Sequence, residues 1–170
     1  MILLYHTFQQ ITSYFNRGIM FYKNIMLAID GSEASNAAVQ EVLKLIKDQQ
    51  VHLRVLHVVD ESVFYAGGPS FDYLSLVAEL REKGEVILDA AVHTIESKSS
   101  IKVEKSLLEL KLLQGRIAEL IIEEAKDWPA DILVLGTHGR RGFSRFFLGS
   151  VAEDIMRIAT MPVLLVHAPQ

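Results

Sequence analysis

Five short strand-like runs, apolar except for the third with its Glu104 and Lys105, alternate with stretches of helical periodicity, and this constrains the fold more than any other feature of the chain. The runs are Lys23 to Asp30 (K-N-I-M-L-A-I-D), Val51 to Val59, Ile101 to Leu110, Asp131 to Leu135 and Pro162 to His167. Continuous apolar strands need cover on both faces. Between them, Ala34, Ala38, Val42, Leu45 and Ile46 share one helical face, with Ser32 placed to cap that helix and Glu33 in its first turn. Leu80, Gly84, Ile87, Ala91 and Ile95 mark a second helix, over Asp72 to about Ser97. Glycine in a helix interior costs about 1 kcal/mol relative to alanine, so Gly84 signals close packing. A third helix follows Gly115, carries Ile117, Leu120, Ile121 and Ala125, and ends at Trp128-Pro129. A fourth runs from Gly149 to about Thr160. Strand–helix alternation of this kind implies parallel strands joined by right-handed crossovers. The expected class is α/β, a three-layer doubly wound sandwich on a five-stranded parallel sheet. Ligands in such sheets bind beyond the carboxyl ends of the strands, which points to Asp30-Gly31, Val58-Val59 and Gly136 onward.

Composition narrows the chemistry. With 170 residues, half of them hydrophobic, the chain suits one domain with a self-sufficient core. A net charge of −4 argues against general nucleic-acid binding. The absence of cysteine excludes disulfides, thiol nucleophiles and Cys-ligated metals, and fits a reducing cytoplasm. Met1 to Tyr22 stands apart: it holds six of the fourteen aromatic residues and one charge, Arg17. Its apolar runs are too short for a membrane span or a signal sequence. It is either an extension (residues 1–22) packing on the domain or on a neighbour, or an upstream segment with Met20 opening the domain proper. Residues 23–170 form the domain that carries function.

The strongest chemical signal lies after the fourth strand. Gly136, Gly139, Gly142 and Gly149 are four of the ten glycines, and Arg140, Arg141 and Arg145 stand among them with no acidic residue between Asp131 and Glu153. Glycines let backbone approach an anion or take positive φ. Successive N–H groups then make a donor nest, and a following helix N-terminus adds its unpaired donors and dipole. Ser150 would either donate to a phosphate oxygen or cap its helix. A micromolar ligand needs about 8 kcal/mol, more than a phosphate nest supplies, so burial of a base is expected too. The alternative is a plain turn with solvated arginines. A Walker loop and a standard dinucleotide fingerprint are both absent.

The spacing Gly136, Gly139, Gly149, Ser150 resembles the ATP-binding motif of the universal stress protein family. Further matches are K-N-I-M-L-A-I-D-G-S-E-A-S from Lys23, L-H-V-V-D at Leu56 to Asp60, D-I-L-V-L-G-T-H-G-R-R-G from Asp131, G-S-V-A-E-D-I-M from Gly149 and M-P-V-L-L-V from Met161. The resemblance covers about Tyr22 to His167. It implies a Rossmann-like sheet in the order 3-2-1-4-5. It implies ATP as ligand, with any Mg or Mn held through the phosphates. Ala28, Asp30 and Val58 would line the adenosine pocket, Leu135 and Gly136 would flank the ribose, and Gly139, Gly149, Ser150 and Val151 would hold phosphates. Arg140 is adjacent without a fixed role. It also implies a homodimer formed by pairing Pro162 to His167 with its copy.

Each residue has a plainer reading. Asp30 is a sugar ligand or a turn residue bonding Ser32. His138 reads as a loop-stabilising histidine rather than a phosphate ligand, and His57 as a satisfied core histidine. Glu153 and Asp154 read as a solvated helix face rather than holders of a catalytic water. The histidine spacing does not suit zinc. No catalytic set is legible, so the expectation is a nucleotide-dependent regulatory dimer, not an enzyme, with no catalytic residue, no protein-held metal, and no nucleic-acid or membrane partner. The rivals are a slow ATP phosphohydrolase and a nucleotide-independent scaffold.

Overall fold

The computed structural model describes residues 22–61, 72–111, 115–139 and 148–168. Residues 1–21, Gly142, Arg140, Arg141 and Arg145 lie outside them. The elements follow the expected alternation: β1 (Asn24–Ala28), α1 (Glu33–Leu45), β2 (His52–Asp60), α2 (Tyr73–Glu96), β3 (Val103–Leu110), α3 (Ile117–Asp127), β4 (Ile132–Gly136), α4 (Ser150–Ile158) and β5 (Val163–Val166). All five strands are parallel, in the order β3-β2-β1-β4-β5. The order reverses at β1, whose Ala28 pairs with Leu56 of β2 on one side and Leu135 of β4 on the other.

Alternation along the strands divides the core. Ile25 and Leu27 of β1, Leu53 and Val55 of β2 and Val134 of β4 face α1 and α2. Met26 and Ala28, Leu56, and Leu133 and Leu135 face α3 and α4. Each central strand is therefore buried on both faces, as its continuous apolar sequence requires.

Local signals set the helix ends. Ser32 caps α1, its Oγ accepting the Ser35 N–H at 3.2 Å. Gly31 takes φ 79°, a left-handed turn that an L side chain would strain. In α2 the buried stripe is Val77, Gly84, Leu88, Ala91 and Ile95. Leu88 is the fully buried residue, with Ile87 half-buried against the same core. Gly84 seats α2 on the sheet, since a methyl group there would stand 2.8 Å from Leu107 and 2.9 Å from His57. No helix among the described residues is long and apolar enough to cross a membrane.

Candidate functional site

The carboxyl ends of β1, β2 and β4 open onto a cavity of about 460 Å³. Nine residues singled out from the sequence line it: Ala28, Asp30, Val58, Leu135, Gly136, Gly139, Gly149, Ser150 and Val151. The tenth, Arg140, is outside the described residues. The cavity has an apolar wall and a polar rim. Ala28 and Leu135 are almost fully buried, and Val58 is half-buried beside them. Ile117 and Ile121 close that wall from α3.

The rim is built by a hydrogen-bonded turn. The Asp30 Oδ1 accepts the Ser32 N–H at 2.9 Å, and the Asp30 N–H donates to Ser35 Oγ at 3.2 Å. Ser32 Oγ donates to the His138 carbonyl at 3.1 Å, tying the β1 turn to the turn after β4. Asp30 thus does the turn work of the plainer reading while also lining the cavity. Across the loop, the Gly149 N–H donates to the Thr137 carbonyl at 2.8 Å. The two ends of the glycine-rich loop are pinned together.

The described loop glycines serve close approach rather than positive φ, which among the described glycines belongs to Gly31 and Gly115. A methyl group on Gly136 would lie 2.8 Å from the Ala34 carbonyl carbon and the Ser35 nitrogen, so β4 ends directly against the first turn of α1. On Gly149 it would lie 3.1 Å from the Thr137 oxygen. The N-cap of α4 is Gly149 itself, with extended φ −64° and ψ 149°. Ser150 is therefore the first helical residue, not the cap. No cap side chain competes for the first N–H groups of α4, where helix donors and the dipole favour an anion.

Other residues find structural partners. His57 is buried, with Nδ1 2.7 Å from the Ile29 carbonyl oxygen, and it also lines the cavity. Glu153 pairs with Arg157, and Asp154 with Arg116 at 3.4 Å. Among the described residues no three His, Asp or Glu side chains gather as a metal site.

Sequence reasoning passed over Ile117 and Ile121, which it read as core stripe. A topological signal was present: each crossover helix begins at the carboxyl edge of its preceding strand, so the first turn of α3 faces the ligand edge. It also passed over Leu80 and Lys83 of α2 and Thr137, all at the cavity.

A family model described as the universal stress protein family matches residues 21–167. This chain belongs to that family. A universal stress protein of Methanocaldococcus jannaschii is 33% identical over 170 residues, covering 99% of this chain and 96% of that one. Among solved structures, a universal stress protein family member from Burkholderia pseudomallei is 30% identical, covers 85% of this chain and 96% of its own, and superposes with a TM-score of 0.69. The universal stress protein from Archaeoglobus fulgidus in complex with dAMP is 24% identical, with coverage of 86% and 99% and a TM-score of 0.61.

Proposed function

We propose that this universal stress protein is an ATP-binding regulator in the cytoplasm, in which nucleotide occupancy biases the conformation of a homodimer. The observation that carries the reading is a single cavity in which an apolar wall (Ala28, Val58, Leu135, Ile117) meets an uncapped helix N-terminus. The wall suits a purine, Asp30 suits a ribose hydroxyl or a base amino group, and the backbone N–H groups of Ser150 and Val151, approached past the bare glycines Gly139 and Gly149, suit phosphates. The volume of about 460 Å³ lies within the range of roughly 300–1,000 Å³ typical of small-molecule sites. The dAMP complex of the Archaeoglobus fulgidus relative supports an adenine nucleotide. Mg or Mn would arrive with the phosphates.

Glu153 and Asp154 are ion-paired on the surface of α4, with Arg157 and Arg116, and neither is among the described residues that line the cavity, which favours a binding role over hydrolysis. For the dimer, β5 is an edge strand whose four residues are all half-buried and whose described ladder runs only to β4. Its open backbone edge suits pairing with a second copy.

Thermal unfolding across an ATP series, with light scattering on the same samples, tests this reading. Ligand at a hundred times its Kd stabilises by about 2.7 kcal/mol, so the midpoint should rise steadily with ATP. Scattering should give the mass of two chains. A midpoint unmoved by millimolar ATP contradicts the nucleotide, and a single-chain mass at micromolar concentration contradicts the dimer.

A further inference from the structure

Thr137 follows β4 directly and is 2% exposed, yet its polar groups reach four residues, at the end of β5, at the start of α4 and on two histidine rings. Its N–H donates to the Val166 carbonyl at the end of β5 at 2.9 Å, and its carbonyl accepts the Gly149 N–H at the start of α4. Its Oγ1 lies 2.9 Å from His138 Nδ1 and 3.1 Å from His167 Nδ1. His138 lines the cavity; His167 stands just past β5 and does not.

A hydroxyl has one hydrogen. Thr137 Oγ1 has no other partner among the described residues, so its hydrogen goes to the Nδ1 of one neutral imidazole and the other ring donates its own Nδ1–H. The two rings are therefore held in opposite tautomers. His138 Nε2 is buried without a partner among the described residues. A bare lone pair is tolerated there more readily than a bare N–H. The hydrogen bonds then run in one direction, from His138 Nδ1–H to Thr137 Oγ1 and from Thr137 Oγ1–H to His167 Nδ1. That leaves the His167 Nε2–H on an exposed ring.

We propose that Thr137 is a positioning residue whose hydroxyl carries a directed hydrogen-bond chain from the turn at the cavity to the end of β5, so that a phosphorylated adenine nucleotide is sensed at the last strand. The transmission rests on the nucleotide reading above; the opposed tautomers do not. A phosphate settling against Gly139 and Gly149 bears on the turn that holds His138 and on Gly149, whose N–H the Thr137 carbonyl accepts, and the chain conveys that displacement to His167.

Long-range proton–nitrogen NMR of ¹⁵N-histidine-labelled protein tests it, with ATP as the probe. Without ligand, His138 should show the Nδ1–H form and His167 the Nε2–H form. Saturating ATP should shift the ring nitrogens of both. In Thr137→Val, His167 should stay still while the Kd for ATP rises about tenfold; Thr137→Ser should restore both properties. Should Thr137→Val not fold, His167→Ala at the exposed end should still leave the His138 signals altered and ATP weaker by a similar factor. Matching tautomers in the free protein would overturn the proposal, as would a His167 ring unmoved while the Gly139 and Ser150 amides respond to ATP. If no cavity amide responds, the nucleotide reading fails and the transmission fails with it, whatever the tautomers.

Discussion

Asp30 and Gly139 meet at the mouth of the cavity so closely that a methyl group on Gly139 would stand 2.7 Å from Asp30 Oδ2. The carboxylate is held from the other side by the Ser32 N–H on Oδ1. Two turns from distant parts of the chain thus fix one acceptor at the cavity rim. Asp30→Asn can keep the acceptor for Ser32 but loses the charge. Its stability should change by less than about 1 kcal/mol, while ATP affinity falls by about tenfold or more. Asp30→Ala should lose a further 0.5 to about 1.5 kcal/mol of stability with the turn. Urea unfolding and calorimetry on the pair separate the two roles.

Gly136 and Gly139 should respond differently to alanine. At Gly136 the new methyl group meets the backbone of Ala34 and Ser35, which cannot turn aside. Gly136→Ala should destabilise by about 1–3 kcal/mol, read as a lower urea midpoint at unchanged slope. At Gly139 the neighbour is the end of the Asp30 side chain. Gly139→Ala should cost less stability but displace that carboxylate, weakening ATP more than it weakens the fold.

Gly149→Val should abolish ATP binding while leaving secondary structure in place. Even a single methyl group there stands 3.1 Å from the Thr137 oxygen, and the branched side chain crowds the uncapped start of α4. Circular dichroism checks folding, and titration with ATP checks binding.

Acid stability should carry a contribution from Glu104. Its carboxylate accepts from Arg54 at 2.8 Å and from Trp128 Nε1 at 3.2 Å, with Arg54 stacked 4.9 Å over the Trp128 ring. The hydrogen bonds from Arg54 hold its pKa below the ordinary value, with that from Trp128 adding to them against slight desolvation. A depressed carboxylate stabilises the fold above its unfolded pKa of about 4.3 and loses that contribution as pH falls through the folded value. Its side chain is half exposed, so solvent screening keeps the effect small. Glu104→Gln should flatten the stability profile between about pH 5 and 3 and leave it unchanged in shape near neutrality.

The sheet was legible because its central strands are buried on both faces and so read as largely apolar runs, as in Ile25–Ile29. Strand order was not legible from the runs themselves, since it depends on which distant segments pair; the family resemblance supplied it. In α2 the periodicity located the helix but put Ile87 on the stripe, whereas Leu88 is the fully buried residue. The long helix packs against β2, β3 and α1 together, and a one-sided pattern does not capture that. The glycine loop pointed to the end of the sheet where the cavity lies, for a partly different reason: Gly136 and Gly149 are needed for contact with other backbone, not for positive φ. Ser150 was read as a possible cap because serine commonly caps, but the chain enters α4 one residue earlier, at Gly149. Thr137 gave no sequence signal, because a lone threonine after a strand reveals its four partners only when β5 and α4 are in place.

Calorimetric titration of ATP into nucleotide-free protein tests the central claim most directly. A saturable heat is expected, with one nucleotide per chain and a Kd near micromolar, about 8 kcal/mol, and with adenosine bound more weakly because it leaves the start of α4 unused. Folded protein that gives no heat at millimolar ATP would contradict the assignment of the cavity to a nucleotide.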